Sequence, residues 1–241
     1  LRADASDLNR IERTIEAALY RADVTVLDEA DHELGRALVA EPTSPALLYL
    51  RGLSTYARTR PLYAQRDNKA VAKVLEDALE QLKAVKGSPW ETEAQALRGL
   101  LTGELIGARG AMSGMTLGPR MSELTAEALE QMPANGRALC FRGVALLHMP
   151  EMFGGDVQEA KQLFQRADAA FKRAAERSTA AVGPTWGHAE ALKWLAQAHL
   201  KTNDLAAAKI AAERALELEP EFQLVRYQLL PAIVKKLAPK S

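Results

Sequence analysis

"AEALKWLAQAHLKTNDLAAAKIAAERALELEP", Ala189 to Pro220, reads as two helices joined by a turn. The first half sets apolar Leu192 and Leu195 and small Ala196 at helical spacing. Asn203-Asp204 then interrupts it with residues that favour turns and helix starts. The second half places Ala208, Ala212 and Ala215 at intervals of four and three, and Pro220 follows five residues on. Small residues at that spacing form one helix face against which a partner helix comes close, and the proline ends the run.

The same shape recurs up the chain. "LLYLRGLSTY" (Leu47–Tyr56), "AQALRGLLTG" (Ala94–Gly103) and "ALCFRGVALL" (Ala138–Leu147) are apolar helices, with glycine where "ALKWLAQAHL" (Ala191–Leu200) has Ala196. The second-helix pattern returns at Ala30, Leu34, Ala37 and Pro42 and at Met121, Thr125, Ala128 and Pro133. It recurs in part at Ala160, Phe164 and Ala167, and more weakly at Val71, Leu75 and Ala78.

This arrangement resembles the tetratricopeptide repeat (TPR), a helix pair of about 34 residues with the pattern W-x2-L-G-x2-Y … A-x3-F … P. In the opening stretch Leu192 stands for the Trp, Leu195-Ala196 for Leu-Gly and His199 for the Tyr, with Ala208, Ala212 and Pro220 completing it. The resemblance implies an all-α, right-handed superhelical solenoid of about five helix pairs in one domain, residues 1–241. The pairs fall at about 7–42, 44–86, 90–133, 135–178 and 186–220 on the repeat arithmetic, with a capping helix over 221–237. The cap covers the apolar face of the last repeat, using Phe222, Leu224, Val225, Leu229 and Leu230, with Pro231 as a kink or break.

Spacing locates the insertions. The small residues of the first helices are Ala18, Gly52, Gly99, Gly143 and Ala196, with steps of 34, 47, 44 and 53. Within a pair, Ala18 to Ala30 and Ala196 to Ala208 are both 12, whereas Gly52–Val71, Gly99–Met121 and Gly143–Ala160 are 19, 22 and 17. The three central pairs are therefore expected to carry extended loops, "TRPLYAQRDNK", "GARGAMSGMTLGPR" and "MPEMFGG". A further insertion, "RSTAAVGPTWGH", separates the fourth pair from the fifth.

The Gly154-Gly155 pair lies in one of these turns. A phosphate loop needs a preceding strand and a lysine at the start of the next helix. Here a helix precedes it, Pro150 stops that helix, both glycines allow positive φ, and Asp156 with Glu159 reads as a capping box. The stretch is a turn. The residues Pro150, Phe153, Gly154, Gly155 and Asp156 also resemble loops of bacterial periplasmic repeat proteins, including T-components associated with TRAP transporters. That resemblance implies an exported protein and a small organic ligand.

Composition narrows the function classes. Lys+Arg and Asp+Glu are both 31, which lacks the basic excess that displaces counterions from nucleic acid. No apolar run is long enough to span a membrane. Cys140, the sole cysteine, reads as a small buried thiol. His188 and His199 are too far apart along a helix to share a metal, and Asp28 with His32 reads as a solvated helix face. No serine sits in a G-x-S-x-G elbow. The expectation is a non-enzymatic protein with no cofactor. The chain opens "LRADASDLNR" without Met, consistent with a cleaved export signal or a trimmed N-terminus. The expected location is the periplasm or cell exterior, with the cytoplasm as alternative.

In the resembled family the first helix of each pair lines the concave face. Carried over, the groove residues are Tyr49, Leu53, Tyr56, Ala96, Leu100, Cys140, Val144, Leu147, Lys193, Gln197 and Lys201. An apolar and aromatic groove of this kind takes an extended peptide or an amphipathic helix. The alternative is that several of these positions are covered by the central insertions or by another subunit. Arg51, Arg98 and Arg142 recur at one repeat position; such a row can bind carboxylates, although pairing of each head with a local acid is the plainer account. The expected function is a scaffold or adaptor for a protein or peptide, through the groove or the inserted loops. The alternative is a small-molecule-binding component of a bacterial transport system, and a homo-oligomer fits either.

Overall fold

The computed structural model describes residues 4–88, 90–176 and 183–238. Among them are eleven α-helices and no strand. They are α1 (Ala5–Arg21), α2 (Val24–Ala40), α3 (Pro45–Ala64), α4 (Asn68–Leu82), α5 (Glu91–Arg109), α6 (Gly114–Gln131), α7 (Gly136–His148), α8 (Val157–Glu176), α9 (His188–Lys201), α10 (Leu205–Leu218) and α11 (Leu230–Leu237). Each odd helix up to α9 pairs with the even helix after it.

Three of the five turns inside the pairs share a device. Ala22, Arg66 and Asn203 adopt left-handed φ of 52°, 60° and 59°, and each is followed by an aspartate. Asp23, Asp67 and Asp204 then accept hydrogen bonds from amides in the first turn of α2, α4 and α10. The same aspartates donate their own amides back to the Ala18, Leu62 and His199 carbonyls, so the end of one helix and the start of the next are both satisfied.

Small residues mark the helix crossings. A Cβ added at Gly99 would lie 2.4 Å from Thr125 Cγ2, and one at Gly143 would lie 2.7 Å from Phe164 Cε1. On the facing helices Ala30, Leu34, Val71, Leu75, Ala128, Ala160, Phe164, Ala208, Ala212 and Ala215 are all buried, while Ala37 is half-buried. The spacing that marked the repeat is the spacing of the contact.

Two of the three central insertions take the form of longer helices instead of loops. α3 runs through "TRPLYA" to Ala64, and α5 continues to Arg109 before α6 resumes at Gly114. The first insert offers Arg, Leu and Ala as helix formers, and Pro61 in the last turn of α3 removes one N–H from the ladder without ending the helix before Ala64. The prolonged ends pack: the Tyr63 hydroxyl donates to the Glu104 carbonyl at 3.0 Å, and Arg109 pairs with Glu76 at 2.7 Å. The third insertion is a loop with a short 3-10 turn, Glu151–Phe153.

The described chain resolves into two compact units. Of the described residues, the first holds 4–88, 90–131 and 183–186, and the second 132–176 and 187–238. In the first, α1 packs on α2 and α3, α3 on α4 and α5, and α5 on α6. In the second, α7 packs on α8 and α9, α8 on α9, α9 on α10, and α10 on α11. A π-helical turn, Val225–Leu229, leads into α11 just before Pro231, whose missing N–H cannot continue the regular ladder. Phe222, Val225, Leu229 and Ile233 bury the cap's apolar side. Of the "RSTAAVGPTWGH" insertion, Arg177 to Val182 lie outside the described residues, and Gly183–Trp186 belong to the first unit.

Candidate functional site

In the first unit, Tyr49, Leu53 and Tyr56 of α3 and Ala96 and Leu100 of α5 are all buried. The two tyrosines are covered by the chain's own Gly183–Trp186 segment. Trp186 is 1% exposed; its indole N–H donates to the Tyr49 hydroxyl at 2.9 Å, and its ring centroid lies 6.2 Å from that of Tyr56. Trp90 packs on the Tyr49 ring at 5.3 Å, and Arg60 lies over Tyr56 and donates to its hydroxyl at 3.0 Å. The backbone of the segment is held by α1. Glu12 Oε1 accepts from the Thr185 amide at 2.6 Å, the Thr185 hydroxyl at 2.7 Å and the Trp186 amide at 3.0 Å. A buried carboxylate is tolerable only with donors gathered round it, and this segment supplies three.

In the second unit the equivalent stripe is filled differently. Cys140, Val144 and Leu147 of α7 are buried, and so is Lys193 of α9. Lys193 Nζ donates to Glu190 Oε2 at 2.6 Å and sits 3.7 Å from the Trp194 ring centroid. His148 meets that indole edge-on at 5.3 Å. His148 as a whole is solvent-exposed, but local desolvation of its ring, then the charges of Lys201 and Lys193, shifts its pKa downward. Burial, then the negative charge of Glu190, pushes the Cys140 thiol up, which leaves it without nucleophilic character. Gln197 is half-buried and Lys201 exposed; Lys201 Nζ reaches the Leu147 carbonyl at 2.8 Å.

Among solved structures, the chain is similar to a thermophilic TPR protein of Thermus thermophilus, with 17% identity and a TM-score of 0.63. The alignment covers 96% of this chain and 100% of that one. The fold is TPR-like. No protein-family model matches the sequence, and no curated protein matches it.

Against this TPR-like frame the remaining candidates separate. Arg51 is paired with Asp31 at 3.5 Å, as a local structural role requires. Arg98, at the same repeat position, differs: its Nε is buried without a hydrogen-bond partner, and burial followed by the charge of Arg120 lowers its pKa. Asp28 turns to Arg58 at 2.6 Å, and His32 Nδ1 lies 2.9 Å from the Asp28 carbonyl, so the two side chains do not converge on a common point. An open cleft of about 260 Å³ between α2, α3 and α4 is lined by Asp31, Arg51, Ser54, Arg58 and Asp77. Arg58 also pairs with Asp31 at 2.6 Å, and Ser54 donates to it. This cleft is charged and internally paired, unlike the enclosed apolar pocket that a small organic ligand calls for.

The glycine turn is built as a turn. Gly154 has φ of 92°, and the Gly154 and Gly155 amides donate to the Glu151 and Pro150 carbonyls. Gly155 corrects the sequence reading: its φ is not positive, and it is needed because a Cβ there would lie 1.9 Å from the Met149 carbonyl oxygen. Asp156 accepts from the Gln158 and Glu159 amides at 2.7 and 3.0 Å, capping α8. The residues of the covered stripe that the repeat pattern could not reveal are Glu12, Thr185 and Trp186. One signal was present: a tryptophan in a Gly/Pro-rich insertion is a large apolar body that has to be buried somewhere.

Proposed function

We propose that the protein is a non-enzymatic scaffold that holds a protein or peptide partner, engaging it at the inserted turns of the central pairs. The observation that carries this is where large apolar side chains stand in water. Met112 and Met115, between α5 and α6 and at the start of α6, are 81% and 69% exposed. Met152 and Phe153, in the turn before α8, are 82% and 60% exposed. Within each turn the exposed side chains are neighbours, Met112 near Met115 in one and Met152 next to Phe153 in the other, and unbranched methionines make an adaptable apolar contact. No helix among the described residues is long and apolar enough to cross a membrane.

The test is site-specific photo-crosslinking in the source cell. A photoreactive residue at Met112 or Met152 is expected to trap a discrete protein adduct. The same residue at Val39, equally exposed on α2, serves as the control and traps none. Absence of adducts at both turns, or the same adducts at Val39, sinks the reading.

A further inference from the structure

The strongest unexplained feature is that a non-helical segment sits in the first unit as a bound peptide would. Three groups hold it, each of a kind used in peptide recognition. Tyr49 and Tyr56 form an aromatic seat for Trp186, the Tyr49 hydroxyl reads the indole N–H, and Glu12 reads two successive amides and a threonine hydroxyl. Pro184 fixes φ and narrows the conformations of the free segment. Gly183 and Gly187 flank it at φ of 152° and 110°, values that side-chain-bearing residues rarely adopt. No intrinsic feature of a helix repeat requires such a segment. Trp186 is the large apolar body of the segment, and the Thr185 and Trp186 amides both donate to one carboxylate oxygen of Glu12.

We propose that the first unit's groove is a peptide-binding site whose ligand class is displayed by Gly183–Trp186: an extended segment carrying Thr-Trp, or its close relative Ser-Trp. The chain's own segment is a tethered copy of that ligand, displaced when a partner presents the same pair. Specificity follows from the contacts. The indole is selected over other aromatics because only its N–H meets the Tyr49 hydroxyl, and the preceding hydroxyl residue is selected by Glu12. This goes beyond the scaffold reading in using a different surface, so loss of the crosslinks at Met112 and Met152 would leave it standing, and the reverse.

A tethered competitor acts at an effective concentration on the order of millimolar, so the intact chain should bind a free copy weakly. The probe is a synthetic peptide of residues 182–188, VGPTWGH, and the same peptide with alanine for tryptophan. A Trp186→Ala chain is expected to bind the tryptophan peptide at least tenfold more tightly than the intact chain does and to gain several degrees in Tm from it. The alanine peptide should give neither effect, and adding Glu12→Gln should weaken binding about tenfold. A Trp186→Ala chain that keeps its helical circular dichroism but ignores the peptide overturns the proposal. Should that variant fail to fold, native-state hydrogen exchange of the intact chain decides. Displacement requires the Thr185 and Trp186 amides to exchange through an opening that leaves Ile15 and Leu19 of α1 protected. Exchange of all four only on global unfolding overturns it.

Discussion

The first-helix stripe is occupied in opposite ways in the two units. In the first, the tyrosines of α3 are covered by a segment that is neither helix of any pair, and one carboxylate, Glu12, gathers neutral donors from it. In the second, the stripe closes on itself: Lys193 and Glu190 pair along α9 and lie against Trp194 and His148. Both arrangements bury an acid, Glu12 and Glu190, each 2% exposed or less. Glu190 is answered by a lysine ammonium, Glu12 by backbone amides and a hydroxyl. Equivalent repeat positions therefore fix where a face is, and they leave open what lies on it.

That contrast sets the largest expected effect. Removing one member of a buried ion pair strands the other charge, so Glu190→Gln is expected to cost about 3 kcal/mol in urea unfolding. Glu12→Gln leaves an amide oxygen that still accepts and strands no charge, so the cost is about 1–2 kcal/mol, the difference between a charge-assisted and a neutral acceptor. Replacing Glu190 by Leu and Lys193 by Met together should recover most of the Glu190→Gln loss. Equal costs at Glu12 and Glu190 would remove the distinction between the two units.

A second effect, of about 2 kcal/mol, sharpens the ionic character of the second unit. Asp168 of α8 receives His188 at 2.8 Å, Arg214 at 2.7 and 2.9 Å, and Lys172 at 3.3 Å. Burial alone would raise its pKa, but hydrogen bonds from His188 and Arg214 outweigh it and hold the carboxyl well below the ordinary carboxylate range. A depressed folded-state value means that the stabilisation is fully present above the unfolded value and is lost as pH falls toward the folded one. Asp168→Asn should thus be less stable than the parent by a constant amount above about pH 5, with the gap narrowing below about pH 4. A gap that widens as pH falls below about 4 would contradict the ion-pair account of α8, α9 and α10.

The sequence carried the helix pairs because their contacts are local. Ala208, Ala212 and Ala215 show a face at short period, and Gly99 and Gly143 are glycine because the facing helix leaves no room for a Cβ. Lengths of insertion were equally legible from spacing. Their form was not, since "TRPLYA" holds both a proline that argues for a loop and helix formers that prevail near a helix end. The groove residues all lie on first helices of the pairs, yet nine of the eleven, Tyr49, Leu53, Tyr56, Ala96, Leu100, Cys140, Val144, Leu147 and Lys193, are buried. The covering segment escaped the reading because Trp186 lies 137 residues from Tyr49, and no periodic signal links positions so distant.

The smallest effect concerns the polar end of the stripe, where fold and binding make different demands on one side chain. Lys201 is exposed, yet its Nζ donates to the Leu147 carbonyl at 2.8 Å, one of the last carbonyls of α7, which have no acceptor role inside their own helix. A cation there also meets the negative end of the helix dipole. Lys201→Met should therefore cost about 0.5 kcal/mol at low salt, and less in about 1 M salt, where the Debye length shrinks to about 3 Å. Lys201→Arg, which keeps the charge and the donors, should restore most of it. If Lys201→Met leaves the unfolding midpoint unchanged at both salt concentrations, the cap contributes nothing and the lysine is free for a partner. A loss that is the same at both concentrations would assign the effect to the short-range hydrogen bond to the Leu147 carbonyl and leave the helix dipole no part in it.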